Sequence, residues 1–303
     1  MIEFGIGVDL GGTNLRAAAI DRTGHLLDKP ISVDTNYHGG REAVISDIVN
    51  AVTTLKQQFA SARLAGVGIG VPGFIRLREG FITNSNNLPY LENFPVRDEI
   101  EKRLGTPIIL ENDANAAALG ETWQGAGRDV DSLVLLTLGT GIGGGIVIDG
   151  RLRLGPLSAA GEIGHQTVMP NGPLCACGNP GCLEVIAAGP AIARAAGYPD
   201  TESAATAARN GDPRAQQAFR EAAFYLGIAA ANLVTALHPD ALLFSGGMSE
   251  LVDLLLMPVR AAVNERVRMF PADGVAVRRA AAGPNAGLLG ALALNIAPEK
   301  IAL

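Results

Sequence analysis

The sequence predicts an α/β protein built from two related domains, and three observations carry that expectation. Short apolar runs alternate with longer segments of helical spacing, the pattern of an α/β chain. The 303 residues suffice for two domains, each with its own core. The chain also resembles itself. Asp9 to Asp21 reads DLGGTNLRAAAID and Thr137 to Asp149 reads TLGTGIGGGIVID, in agreement at Leu10/Leu138, Gly11/Gly139, Ile20/Ile148 and Asp21/Asp149. In the same order, Asn115–Gly120 (NAAALG) matches Asn285–Gly290 (NAGLLG) at four of six positions. One such pair means little in a Gly- and Ala-rich chain; two in one order argue for duplication.

The elements follow in turn. Phe4 to Leu10 is a strand, Gly11-Gly12 a tight turn and Leu15 to Ile20 a second strand, with a third expected over Leu26 to Val33. Ile45, Ile48, Val52, Leu55 and Phe59 keep helical spacing. Gly66 to Val71 reads as a buried strand closed by Pro72-Gly73. Ile108 to Leu110 is a short strand with Glu111-Asn112-Asp113 at its C-terminal end, and Ala114 to Glu121 is helical. Leu133 to Leu138 opens the second strand–turn–strand unit. Glu162 to Glu184 is irregular, Ala187 to Leu237 mostly helical, and Ala241 to Phe244 a strand broken at Ser245-Gly246-Gly247. Ala286 to Leu294 is a helix of small residues. The expected domains are residues 1–117 with 291–303, and residues 118–290. The two small-residue helices can cross closely, which suggests a hinge.

Composition narrows the function classes. A hydrophobic share of 48% and a charged share of 18% describe a globular chain. The net charge of −6 and the lack of a basic stripe argue against nucleic-acid binding. The longest uncharged stretch, Ala222 to Pro239, carries Asn232, Thr235 and His238 and falls short of the ~20 apolar residues of a membrane span. The N-terminal residues lack a signal-peptide pattern, so a cytoplasmic location is expected.

The motifs point to phosphate and metal. Gly-rich turns place backbone N–H groups around an anion and let it approach closely. Gly139, Gly141 and Gly144 also fit a dinucleotide-binding spacing, but a strand, Ile146-Val-Ile, follows where that motif needs a helix. No Walker A lysine is present. Asp9 ends a strand beside the first turn, and Thr137 takes its place in the second, as expected for one asymmetrically placed Mg²⁺. Asp113, before a helix, suits a helix cap and also a proton acceptor. His165, Cys175, Cys177 and Cys182 lie within 18 residues and form a Cys₃His set for closed, structural Zn²⁺.

Asp9-Leu-Gly-Gly-Thr-Asn14 resembles the first phosphate motif of the superfamily of sugar kinases, heat-shock chaperones and actin. Leu138–Gly145 resembles its second phosphate motif, and Phe244–Met248 its adenosine motif. Glu162-Ile-Gly-His165 with Cys175–Glu184 resembles the ROK family (repressors, open reading frames and kinases), and within it the bacterial glucokinases. The resemblance implies a two-domain actin-like ATPase (ribonuclease H-like) fold with an interdomain cleft. It implies phosphorylation of a hexose, glucose first, by ATP with Mg²⁺. The motif around Asp113 makes that residue the catalytic base. Gly73, Asn87, Asn112, Glu162, His165 and Glu184 become sugar contacts. Asp9, Gly11, Gly12, Thr13, Asn14, Thr140, Gly141, Gly246 and Gly247 become nucleotide contacts. Pro89-Tyr90 stands where the glucokinases carry an aromatic such as Trp, and Ala188 where they carry Ser, so fructose, mannose or an N-acetylhexosamine remain alternatives. A repressor of this family would carry an N-terminal helix-turn-helix, for which no room is expected before residue 4. A non-catalytic sugar-sensing regulator would be expected to lack Asp113 or Asp9, and both are present. Family members are often dimers, so the resemblance allows a homodimer beside sugar and nucleotide.

Overall fold

The structure is a computed structural model that describes residues 3–11, 14–77, 79–85, 88–296 and 301–302. The chain opens with β1 (Glu3–Leu10), β2 (Asn14–Asp21), β3 (Ile31–Asp34), α1 (Gly40–Gln58) and β4 (Arg63–Val71). A hairpin of β5 (Phe74–Arg76) and β6 (Phe81–Asn84), then α2 (Val96–Leu104), β7 (Ile108–Asn112) and α3 (Asp113–Gln124), complete the first stretch. β8 (Leu133–Leu138), β9 (Ile142–Ile148) and β10 (Arg151–Arg153) lead into the irregular loop. Helices α4 (Leu183–Ala187), α5 (Gly189–Ala196), α6 (Thr201–Arg209) and α7 (Pro213–Leu237) follow. β11 (Ala241–Ser245), α8 (Met257–Arg266), β12 (Ala276–Arg279), α9 (Ala286–Ile296) and β13 (Ile301–Ala302) end the chain.

Two compact units result. The first comprises residues 1–129, 145–160 and 284–303, and the second residues 130–144 and 161–283. In the first unit the sheet order is β3-β2-β1-β4-β7, with β1, β4 and β7 parallel. The register sets Asp9 beside Gly70 and Gly70 beside Glu111. The C-terminal ends of three parallel strands thus share one edge, the usual place for a ligand in an open α/β sheet.

Alternation within β1 and β4 decides how the helices pack. Phe4, Ile6, Val8, Val67 and Ile69 are buried in a core shared with Ile45, Ile48 and Leu55 of α1. Between them stand Gly5, Gly7, Gly66 and Gly68, and α9 lies on that glycine stripe. A methyl at Gly7 would overlap the Leu288 carbonyl, and one at Gly68 the Ala291 carbonyl. Helix α9 meets α3 in the same way: a methyl at Gly120 would overlap the Ala286 carbonyl, and one at Gly290 the Ala116 carbonyl. The duplicated small-residue helices do cross at backbone distance, as the sequence suggests.

In the second unit β12, β11 and β8 are parallel, with Ser245 beside Thr137, and β9 turns back beside β8. The 25-residue α7 falls in the stretch expected to be mostly helical, and it buries one face. The chain passes between the units inside β9, whose last residues pair with β10.

Two expectations need correction. The third strand covers only Ile31–Asp34, because Pro30 has no N–H for the ladder; Leu26 keeps a single bridge to Ile20. The contact division also departs from boundaries at residues 117 and 290, which fall inside α3 and α9. Both helices belong to the first unit, so their crossing is part of one core rather than a hinge between domains. The short β5, β6 and α2 were not expected; α2 offers only Val96, Ile100 and Leu104 as a buried stripe.

Replacing Gly290 by Ala gives a test with an informative sign. Helix propensity alone predicts a gain of about 1 kcal/mol. Overlap with the Ala116 carbonyl predicts a loss of about 1–3 kcal/mol instead. Urea unfolding decides, and the midpoint is expected to fall.

Candidate active site and metal centre

The turn from β7 into α3 carries a polar network. Asn112 ends the strand and caps the helix: its Oδ1 accepts from the N–H groups of Ala114 and Asn115 at 2.9 and 3.1 Å. Its Nδ2 donates to the Gly73 carbonyl at 3.1 Å. The cap is therefore Asn112 and not Asp113, which is the first helical residue. Asp113 is half-buried, and its Oδ1 accepts from the Ala114 N–H at 2.8 Å. A carboxylate in the first turn of a helix is favoured in its charged form, which suits a proton acceptor. Glu111, one residue before the cap, is fully buried.

Asp9 lies on the same sheet edge. Burial pushes its carboxyl up from the usual range, and the Arg16 guanidinium counters part of that shift. Its carboxylate packs against the first turn of α9, where a methyl at Gly287 would sit 2.7 Å from the carboxyl carbon. Arg16 itself is tied to the start of α9, donating to the Pro284 carbonyl and to Asn285 Oδ1. A desolvated carboxylate at a strand end is a fitting outer partner for a hydrated cation.

In the second unit the turn between β8 and β9 is braced from inside. Gly139 N–H donates to the Gly141 carbonyl at 3.0 Å, and Gly143 N–H to Thr137 Oγ1 at 3.1 Å. Glu184 Oε2 accepts from the Ile142 N–H at 2.9 Å, which ties α4 to this turn. Gly246, at φ +81°, brings the end of β11 against the Leu138 carbonyl. Next to these turns is a cavity of about 740 Å³ lined by Gly139, Thr140, Pro190, Arg209, Gly247 and Met248 among others. Its size suits a nucleoside.

The irregular loop folds around the predicted ligand set. The ligand atoms of His165, Cys175, Cys177 and Cys182 all lie within 4.8 Å of one another. Cys175 Sγ is 3.6 Å from His165 Nδ1, and Cys177 Sγ is 3.5 Å from Cys182 Sγ. A tetrahedron with Zn–S of about 2.3 Å and Zn–N of about 2.0–2.1 Å has edges close to these lengths. Gly178 and Gly181, both at positive φ, let the loop reverse twice between the cysteines. His165 Nε2 points the other way and lies 3.9 Å from Glu162 Oε2. Burial raises the Glu162 carboxyl, with His165 lowering and Glu184 raising it further.

The ROK family model matches residues 5–297. The chain belongs to the ROK family. It is 37% identical to a glucokinase of Halalkalibacterium halodurans, with 94% of this chain and 92% of that protein covered. A ROK hexokinase structure from Thermus thermophilus superposes with a TM-score of 0.83 at 38% identity, covering 98% of each chain. A Streptomyces griseus ROK family glucokinase in complex with glucose and AMPPNP gives a TM-score of 0.81 at 34% identity, covering 96% of this chain and 98% of that one. The fold is that of the actin-like ATPases, as expected.

Within this ROK fold the first unit brings together Asp9, Gly73, Asn112 and Asp113 along one sheet edge and its loops. The second unit gathers Thr140 and Gly247 on the cavity, and separately Glu162, His165 and Glu184 beside the cysteines. Gly11 and Asn14 flank the first turn, where the Gly11 N–H donates to the Asn14 carbonyl at 2.9 Å. Gly12, Thr13 and Asn87 lie outside the described residues. Sequence reasoning missed the buried state of Glu111 and the contribution of Arg209 to the cavity wall. A Glu directly after Ile-Ile-Leu in a strand was the available signal for the first; nothing local signals the second.

Loss of the Asn112 cap is measurable. Asn112→Ala is expected to lower unfolding free energy by about 0.5–2 kcal/mol, read from urea titration. An unchanged midpoint would remove the cap from the account of this turn.

Proposed function

We propose that this ROK protein is an ATP-dependent hexose kinase that converts glucose to glucose 6-phosphate. The observation that carries the reading is the placing of Asp113: the first residue of a helix at the strand edge, directly after an Asn that caps the helix and is tied to the Gly73 carbonyl. The Asp113 carboxylate takes the proton of the sugar hydroxyl as its oxygen forms the new bond to phosphorus. The bond from that phosphorus to the bridging oxygen breaks, and ADP leaves. Glu162, His165 and Glu184 hold sugar hydroxyls, aided by Asn112, Asn87 and the Gly73 backbone. Carboxylates suit this because each oxygen accepts a directed hydroxyl bond. The Gly-rich turns at Gly11–Asn14 and at Thr140 and Gly141 hold phosphates, and Gly246 and Gly247 border the adenosine.

Two metals fit the donor sets present. Asp9 would hold Mg²⁺ through water, and the ion would neutralise charge on the transferring phosphate. His165 and the three cysteines would hold one structural Zn²⁺, leaving His165 Nε2 for the sugar. The reading implies a place in carbohydrate metabolism at the entry to glycolysis, in the cytoplasm where ATP is made. No helix among the described residues is long and apolar enough to cross a membrane.

A coupled assay of ATP consumption tests the substrate: glucose is expected to give the highest kcat/KM of a panel with mannose, fructose and N-acetylhexosamines. A flat response across the panel overturns the assignment. Asp113→Asn is expected to lower kcat by about 10²–10⁴ while glucose still binds. A variant keeping a tenth of wild-type kcat would remove Asp113 from the base role. Elemental analysis is expected to find one zinc per chain, and chelation to lower the melting temperature as well as activity.

A further inference from the structure

Glu111 is a buried carboxylate beside the proposed site that the proposed chemistry leaves unused. Its side chain is fully buried at the end of β7. Oε1 accepts two bonds, from the Asn112 N–H at 2.8 Å and from Asn115 Nδ2 at 3.1 Å. Oε2 has no partner, and neither has Oδ1 of Asn115, although both atoms are buried. Two orphaned acceptors therefore flank a single hydrogen bond. A buried acceptor left unsatisfied is costly, and more so when charged, so two on adjoining side chains demand a donor.

We infer that Glu111 is a neutral carboxylic acid whose Oε2 proton is donated to Asn115 Oδ1, closing a two-bond acid–amide ring that positions Asn112 and Asp113. One proton satisfies both orphans. No new atom is needed, and Asn115 Nδ2 keeps the bond it already makes. The alternative is an ionised carboxylate in the same place, and the surroundings oppose it. Burial is the dominant influence on Glu111 and raises its pKa to about 7, against the lowering by the Asn112 N–H and the Asn115 amide. No Lys, Arg or His among the described residues bonds to it. Two carboxyls lie on the same sheet edge: Asp113, two residues on, and Asp9, two strands away at a level fixed by the register. Two interstrand steps of about 4.8 Å put its backbone roughly 10 Å from that of Asp9. A negative charge here would also repel the Asp113 carboxylate.

The ring acts on the reaction only through the backbone, so Glu111 is a positioning residue. Its Oε1 holds the Asn112 N–H; Asn112 caps α3 and ties to Gly73; Asp113 lies between Asn112 and the first bonded turn.

The activity arms of the test rest on the kinase reading above; the spectroscopic and stability arms do not, so the two can fail separately. Glu111→Gln keeps the ring, because its amide N–H₂ can donate to Asn115 Oδ1 while its oxygen accepts as before. It should keep kcat and sugar KM close to wild type. Glu111→Leu removes the ring and should lower kcat about tenfold or more, since small misplacement of a reacting group costs that much, with the sugar KM little changed. Isotope-edited infrared spectroscopy of wild type near pH 6 should show the C=O band of a protonated carboxylic acid that Glu111→Gln removes. The folded chain holds this proton up to about pH 7 while the unfolded chain releases it near the ordinary glutamate value, so wild type loses stability as pH rises through that window. Glu111→Gln should therefore gain on wild type in melting temperature between pH 5 and pH 8. Glu111→Gln as damaging as Glu111→Leu, or no protonated band in wild type, would overturn the proposal. If Glu111→Leu does not fold, Glu111→Gln and the infrared band decide alone.

Discussion

Helix α9 lies directly on backbone, and much of the first unit depends on it. A helix usually meets a sheet through a layer of side chains. Here Gly7 and Gly68 leave that layer out and the carbonyls of Leu288 and Ala291 take the space, while the side chains of Leu292 and Asn295 fill the room over Gly5 and Gly66. The approach has two consequences. It brings Gly287, in the first turn of α9, against the Asp9 carboxylate, so a helix N-terminus faces a buried negative charge. It also seats Gly120 and Gly290 reciprocally against Ala286 and Ala116, which fixes α3, and Asp113 is the first residue of α3. The positions of Asp9 and Asp113 thus rest on glycines at the helix contacts.

This dependence explains why the fold was largely legible. Alternation of Gly with Ile and Val in β1 and β4 is visible in one dimension, and so is the pairing of NAAALG with NAGLLG. Those signals record a close approach. What they cannot record is which bodies approach. Two crossing helices read equally well as a hinge between domains or as a core contact, and only the three-dimensional packing of α9 on β1 and β4 places both in one unit. The short β5, β6 and α2 escaped because three apolar residues at helical spacing, or three-residue strands, hold too little periodicity to stand out.

The candidate site was legible to the degree that its chemistry is local. His165 and the three cysteines fall within one loop, so spacing alone proposes the ligand set, and the described geometry brings those four side chains together. Asn112 and Asp113 were legible as a pair but not in their division of labour. An Asp before a helix reads as a cap. The structure gives the cap to Asn112, whose amide can accept from the helix and donate to Gly73 at once, a double task that a carboxylate cannot perform. Arg209 on the cavity wall comes from α6, far along the chain, and no spacing rule reaches it.

The same division of labour bears on why an amide stands at position 112 and a buried acid at 111. A base that takes a proton from a hydroxyl must stay charged and must face the hydroxyl, and the two demands pull against each other. Charge is best kept by neighbours that donate hydrogen bonds, but donors aimed at the carboxylate compete with the substrate for it. The turn separates the tasks. The helix start supplies a favourable field, and the Ala114 N–H donates to Asp113 Oδ1. The fixing of the backbone is delegated to Asn112, Asn115 and Glu111, which bond to one another, to the helix start and to Gly73. A neutral Glu111 suits that arrangement, because it can hold the Asn112 N–H without adding a like charge beside the proposed base. An ionised one would hold the same N–H more tightly and weaken the charge it is there to position.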